Sequence, residues 1–382
     1  MTARTRTLRA VGAAVAVAAA VAGCARFPEE HAGAWKDQPS LQPQAGPQPS
    51  IEGEPPPLSG PPASPPPAPR PPGPCEDPDP SVVATCLNPV GAVAALPDGR
   101  SAVVAERSTG RLLRVQRGAP PVQIARIPAD PSDGGGVSGL ALSPSFAEDQ
   151  LIYAYTSSGN DNEVFRIAPH DRPKAVLTGI PKGPGGAMVD DGQGALLVAT
   201  GNGGSPQLAN DPASLAGKVL RIDGFGHPAP GNPTPGSPVV SAGLAQPAGL
   251  CTQPGSGAYW ITDRGGDRDS LYRAGLGTPL APAWSWQDKP GVAGCAVTRN
   301  QVVVALSGAS ALYTLTPTAE GGFSGQPAKV LENAYGRYSA ATESGNGMVW
   351  LGTANKAGGR PGPTDDRVLQ LLPPSGGTAG KE

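Results

Sequence analysis

The densest run of side chains able to do chemistry is Asp263-Arg264-Gly265-Gly266-Asp267-Arg268-Asp269. Calcium takes carboxylate oxygens as ligands, so Asp263, Asp267 and Asp269 are candidate metal ligands. Arg264 and Arg268 alternate with them, and ion pairs inside a turn are the competing reading. A second acidic turn, Asp130-Pro131-Ser132-Asp133-Gly134, has the composition of an ordinary turn. His31, His170 and His227 are scattered, and the chain shows no Ser-His-Asp order, phosphate-binding glycine loop or zinc-ligand spacing. Trp284 and Trp286 alternate on a strand and share a face, where they can pack in a core or stack on a sugar. Few groups are therefore available for proton or electron transfer.

The elements that must position these groups begin after an N-terminal segment with a different purpose. Arg4, Arg6 and Arg9 precede a run of small apolar residues, 11–22. That run is shorter than the roughly 20 residues a membrane-spanning helix needs, so residues 1–23 read as a secretory signal peptide. It ends in Val21-Ala22-Gly23-Cys24, which resembles the bacterial lipobox. The resemblance implies cleavage before Cys24 and diacylglycerol on its thiol. A lipid anchor on the extracytoplasmic face of the cell membrane is the expected localisation. Residues 24–80 then read as a disordered tether, with 18 prolines between Pro39 and Pro80. Proline-rich sequence favours the extended polyproline II conformation and spaces a domain away from its anchor.

Charge and cysteine usage follow the same division. The signal carries three arginines, the tether holds eight acids against three bases, and residues 81–382 balance at 23 of each sign. A neutral domain has no basic footprint for nucleic acid. Past Cys24, the four cysteines Cys75, Cys86, Cys251 and Cys295 make an even count in an exported chain, which reads as two disulfides with three possible pairings. Cys75–Cys86 and Cys251–Cys295 are the favoured pairs, the first closing a short loop where tether meets domain.

Glycine and proline supply 54 and 48 of 382 residues, which excludes an all-helical chain. Six segments share one pattern: a small-residue apolar strand, a turn, a β-branched strand, a polar loop and a third strand. They start near Gly91, Ser138, Gly186, Ala248, Ala293 and Ser339. A repeat of about 45–50 residues with three or four strands is the signature of a β-propeller blade. The long third interval contains a Gly/Pro-rich insertion, 224–238. The last repeat lacks a fourth strand, and Ser81 to Leu87 can supply it and close the ring. The expected fold is all-β, a six-bladed β-propeller over residues 81–375, with a flexible tail at 376–382.

Three motifs make a family resemblance specific. Ala105-Glu106-Arg107-Ser108-Thr109-Gly110-Arg111 resembles the first-blade motif of the glucose/sorbosone dehydrogenase family. The run from Gly135 to Phe146 is similar to that family's Gly-Gly-Leu-Leu-Gly-Leu-Ala-Leu-His-Pro-Asp-Phe, and Gly217-Lys218-Val219-Leu220-Arg221-Ile222 to its Gly-Lys-Val-Leu-Arg-Ile. With the lipobox and tether, the whole chain resembles actinobacterial lipoproteins of this propeller type. The resemblance implies oxidation of aldoses or related sugars with pyrroloquinoline quinone (PQQ), held over the ring's centre with calcium.

The chain departs from the family where that chemistry is done. The family's His before the third blade falls on Lys182-Gly183-Pro184-Gly185-Gly186, which has no His, Asp or Glu. Its Gly-Asp becomes Gly201-Asn202, its His-Arg-Asn-Pro becomes Leu244-Ala245-Gln246-Pro247, its fifth-blade Lys is lost near Ser307, and its Arg-x-Arg is reduced to Arg337-Tyr338-Ser339. Arg337, Gln246 and Asn202 remain as candidate cofactor-binding residues, and no catalytic residue is assigned. PQQ carries three carboxylates and needs several cations in register. Two expectations follow. One is a degenerate propeller that binds a sugar, another ligand or an envelope protein across its top face. The other is a divergent PQQ-dependent sugar dehydrogenase with a relocated base.

Overall fold

The computed structural model describes residue 73 and residues 75–374, apart from 254–255 and 319–321. The expected signal peptide, lipidated Cys24, most of the tether and the C-terminal tail lie outside the described residues. A short leading strand, β1 (Val82–Ala84), precedes six four-stranded antiparallel sheets. Blade 1 is β2 (Val90–Ala95), β3 (Ser101–Glu106), β4 (Arg111–Gln116) and β5 (Ala119–Arg126). Blade 2 is β6 (Val137–Leu142), β7 (Ile152–Ser158), β8 (Asp161–Ile167) and β9 (Lys174–Pro181). Blade 3 is β10 (Gly186–Asp190), β11 (Leu196–Thr200), β12 (Lys218–Ile222) and β13 (Val239–Ala242). Blade 4 is β14 (Pro247–Thr252), β15 (Tyr259–Arg264), β16 (Asp269–Ala274) and β17 (Ala281–Trp286). Blade 5 is β18 (Val292–Val297), β19 (Val302–Leu306), β20 (Ala311–Pro317) and β21 (Phe323–Val330). Blade 6 is β22 (Tyr338–Ser344), β23 (Met348–Thr353) and β24 (Val368–Leu371), completed by β1.

Ring closure is the one the sequence predicts. β1 pairs antiparallel with β24, Val82 opposite Leu369, so the N-terminal strand finishes the last blade. The first strand of each blade packs on the first strand of the next, from blade 1 round to blade 6 and back. Blades 1 and 4 are consequently opposite each other.

Small residues make that ring possible. A Cβ on Gly91 would lie 2.0 Å from the Val137 carbonyl oxygen, and one on Gly294 would lie 2.2 Å from the Ala341 nitrogen. The first strands therefore converge on the axis as nearly bare backbone. The second strands are buried on both faces: in β3, Ala102 and Val104 face the seam with blade 6, while Val103 and Ala105 face the seam with blade 2. A strand buried on both faces reads as a near-continuous apolar run, here of Val, Leu, Ile, Ala and aromatic residues. The core is six such seams, one between each pair of neighbouring blades. Burying one Val or Leu in a seam contributes about 2 kcal/mol.

Both favoured disulfides are present. Cys251 and Cys295 link the first strands of blades 4 and 5, with Cα atoms 5.8 Å apart. Such closeness between neighbouring blades is allowed because Gly249 and Gly294 meet backbone to backbone there. Cys75–Cys86 closes an 11-residue separation. Residues 75–80, assigned to the tether by composition, are instead fastened to blade 6. Asp77 pairs with Arg367 at 3.0 Å, and Asp79 accepts the Tyr335 hydroxyl. The folded domain thus starts about six residues before the boundary that proline content suggested. Trp284 and Trp286 sit in the seam between blades 4 and 5, Trp286 stacked on Tyr313 with centroids 5.4 Å apart. The core reading of that pair holds.

Candidate functional site

The strand register puts one residue of each blade at the same place on the rim of the axis. Val90, Val137, Gly186, Pro247, Val292 and Tyr338 each face the last paired residue of their second strand: Glu106, Thr156, Thr200, Asp263, Leu306 and Thr353. The residues that follow those six are Arg107, Ser157, Gly201, Arg264, Ser307 and Ala354. Four of these, Arg107, Arg264, Ser307 and Ala354, line a cavity of about 240 Å³ on the ring axis, on the top face, where the first strands begin. Beneath it a channel of about 40 Å³ runs between the small residues of the first strands.

Three guanidiniums line the cavity, from Arg107, Arg264 and Arg337. Gln246, Ser138, Ser307 and Ser339 add neutral polar atoms, and no His, Asp or Glu is among the lining residues. Arg107 crosses to blade 2, its Nε donating to the Gly135 carbonyl at 3.0 Å and Nη2 to Gly134. Arg264 crosses to blade 5 in the same way, Nε to the Val292 carbonyl at 2.6 Å and Nη2 to Ser307 Oγ at 3.0 Å. The Nε of Arg337 is buried without a hydrogen-bond partner. Among the described residues, none of the three makes an ion pair. Burial holds the pKa of Arg107 below its ordinary value, and Arg264 is lowered by burial and by the charges of Arg107 and Arg337, against the opposing pull of Asp269. Arg264 thus feels both other cations, Asp269 opposes them only from outside the lining, and three cations around a cavity lined by no acid form an anion site.

The acids beside them have a different role. Glu106 accepts the Asn88 amide and side chain at 3.0 Å each and the Thr109 hydroxyl at 2.6 Å. Asp263 accepts the Gln246 amide at 2.7 Å and the Ala245 amide at 3.0 Å, so it fixes the loop that brings Gln246 to the cavity. Burial pushes the Asp263 carboxyl up to about 6, against the pull of those two amides. Asp269 accepts the Gly291 and Val292 amides at 2.7 and 3.1 Å, in the next inter-blade loop.

These contacts correct two expectations. Asp263, Asp267 and Asp269 do not converge on a calcium ion: two are spent on amides of different loops, and Asp267 is exposed. No group of three His, Cys, Asp or Glu is placed to hold a metal among the described residues. Nor does Arg264 pair with these acids, since its guanidinium turns toward blade 5. Of the cofactor candidates, Arg337 and Gln246 meet in the cavity, whereas the Asn202 side chain accepts the Gly204 amide of its own turn at 2.9 Å and lies outside it. A polar side chain two residues before a glycine in a turn usually folds back on the backbone.

The sequence reading missed Arg107 and took Arg264 for a loop charge. The signal was available: Glu106-Arg107 and Asp263-Arg264 are the same acid–arginine doublet at the same point of two repeats. Lys182, in the stretch where the resemblance expected a His, pairs with Asp130 at 2.6 Å and also donates to the Gly159 carbonyl. The ion pair bridges the loops before blades 2 and 3, and the Lys182 hydrogen bond holds the Asp130 carboxyl well below the usual carboxylate range.

The family model described as glucose/sorbosone dehydrogenase matches residues 87–274. An aldose sugar dehydrogenase of Escherichia coli K12 is 26% identical over 260 aligned residues, covering 54% of this chain and 69% of the relative. The PQQ-bound structure of an aldose sugar dehydrogenase from Streptomyces coelicolor superposes with a TM-score of 0.71 at 30% identity, covering 76% of this chain and 96% of that one. A Thermus thermophilus oxidoreductase described as a glucose dehydrogenase gives 0.70 at 30% identity, covering 76% and 98%.

Proposed function

Because the chain belongs to the glucose/sorbosone dehydrogenase family, we propose that it is a membrane-anchored, extracytoplasmic member whose axial cavity binds a compact polyanion without a protein base for sugar oxidation. The observation that carries this reading is the trio Arg107, Arg264 and Arg337 in a cavity lined by no carboxylate or imidazole. A neutral sugar is recognised by mixed donors and acceptors, commonly carboxylates among them, whereas this lining is rich in cationic donors. PQQ fits the donor set. Arg107, Arg264 and Arg337 would hold its carboxylates, with Gln246 and Ser339 as neutral partners. Bound, PQQ supplies a two-electron acceptor for hydride. Removing a hydroxyl proton as hydride departs calls for a base within about 3 Å of the substrate oxygen. The cavity lining offers none, and Lys182 is committed to Asp130.

Titration of the full chain, solubilised in detergent, with PQQ tests the reading by calorimetry. Saturable micromolar binding that calcium does not strengthen is expected, together with no reduction of dye by aldoses. Dye reduction by an aldose would replace it with the second reading, a PQQ-dependent sugar dehydrogenase with a relocated base. That second reading has one observation in its favour, the fit of the three arginines to a tricarboxylate. Anchoring is tested separately. Cys24→Ser is expected to move the protein from the membrane to the soluble fraction and to remove the mass of an acylated N-terminus.

A further inference from the structure

Arg107 and Arg264 are related by more than a shared cavity. Each follows the residue that faces the start of its blade's first strand, each donates its own amide back to that blade (to Pro89 at 2.8 Å, to Gln246 at 3.0 Å), and each sends Nε to a carbonyl of the next blade. The blades that carry them, 1 and 4, are opposite in the ring. At the same position the other four blades carry Ser157, Gly201, Ser307 and Ala354, all uncharged. Charge is therefore placed at two ends of one diameter, with Arg337 off that line on blade 6.

We propose that Arg107 and Arg264 form a two-ended clamp across the axis that selects ligands with an anionic group at each end, small dicarboxylates or equivalent bis-anions, over monoanions of the same length. The proposal rests on the reading of the cavity as an anion site and names its ligand class. Stapling neighbouring blades does not require guanidinium. Backbone carbonyls are satisfied by any neutral donor, and two like charges facing one cavity repel, a repulsion that Asp269 offsets only in part and only at Arg264. After its blade-to-blade bonds, each guanidinium retains its Nη1 without a protein partner among the described residues. That leaves each with donors to offer a carboxylate. An anion at each end compensates both cations of the clamp and so relieves their repulsion, whereas a monoanion leaves one of the two uncompensated.

The experiment uses the full chain in detergent and a series of unbranched α,ω-dicarboxylates of increasing length, each compared with its monomethyl ester. Binding is measured by calorimetry and by competition with PQQ. A length optimum is expected at which the diacid binds about tenfold tighter than its monoester, since each end gains a charge-assisted contact. Arg107→Gln and Arg264→Gln should each erase that preference, while Arg337→Gln should weaken diacid and monoester in parallel. Arg107→Lys and Arg264→Lys keep the charge while losing the planar staple, and they should retain the preference even if they melt at a lower temperature. Diacids and monoesters that bind alike at every length would overturn the clamp while leaving the anion site intact. A protein that binds neither PQQ nor any carboxylate of the series would overturn the underlying reading as well.

Discussion

At the rim, opposite the start of their first strands, blades 1 and 4 carry Glu106-Arg107 and Asp263-Arg264, where blades 2 and 3 carry Thr156-Ser157 and Thr200-Gly201. The threonines hold their loops without charge: Thr156 Oγ1 donates to the Pro128 carbonyl at 2.9 Å and Thr200 Oγ1 to that of Leu215 at 2.6 Å. A propeller rim can therefore be built from neutral hydroxyls, and the acid–arginine doublets are additions to it. The acid half is structural, because it caps the amides that start the first strand. The arginine half serves the cavity.

The largest effect expected separates blade 4 from blade 1 by their covalent ties. Cys251–Cys295 fastens blade 4 to blade 5 across 44 residues, whereas blade 1 meets blade 2 through packing and hydrogen bonds, those of Arg107 and Thr156 among them, without a disulfide. Replacing both cysteines with alanine is expected to lower unfolding free energy by about 4 kcal/mol, as loop entropy of that length implies. Denaturant titration reads this directly. A loss below about 1 kcal/mol would mean that packing and hydrogen bonds fix blade 4's rim, as they do blade 1's.

Glu106→Ala comes next. It strands the Asn88 amide, the Asn88 side chain and the Thr109 hydroxyl, and should cost about 3 kcal/mol in the same assay. Thr156→Val in blade 2 removes one neutral hydroxyl bond and should cost about 1 kcal/mol. Equal costs would deny that the acid carries more of the loop than the threonine does.

The third prediction uses pH. Asp263 titrates near 6 in the folded protein, against an ordinary value of 3.8, because burial disfavours its charge. The folded chain thus holds this proton more tightly than the unfolded one, so stability from Asp263 is fullest below pH 4 and is lost as pH rises toward 6. The difference in unfolding free energy between the parent and Asp263→Asn should fall by about 2 kcal/mol from pH 4 to pH 6. A flat difference would show that the two amide bonds from Ala245 and Gln246 fully offset the burial.

Most of the fold was legible because a propeller repeats its signals. Small residues at Gly91, Gly139, Gly249 and Gly294, β-branched second strands and regular spacing each recur, so one ambiguous blade is read from the others. The ring-closing strand was legible by subtraction, since the sixth repeat ended one strand short. The cavity was less so. Its cations come from blades 1, 4 and 6, far apart along the chain, and only strand register shows that Arg107 and Arg264 hold the same position. Acid spacing misled at Asp263, Asp267 and Asp269, because proximity along a turn says nothing about direction. Two of those carboxylates point into different loops.

The smallest expected effect tests how far Arg264 is held by the scaffold. Ser307 Oγ accepts from Arg264 Nη2 at 3.0 Å and donates to the Gly291 carbonyl at 3.1 Å. In blade 2 the matched Ser157 bonds to Asn162 instead, at 2.6 Å, and Arg107 needs no such hydroxyl because two backbone carbonyls receive it. Ser307→Ala should therefore destabilise the protein by about 1 kcal/mol, the net worth of a neutral hydroxyl's hydrogen bonds. Arg264 keeps its Nε bond to Val292, so the guanidinium stays at the rim and PQQ affinity should change by less than about twofold. A tenfold loss of affinity would instead place the serine, and not the strand position, in control of the arginine.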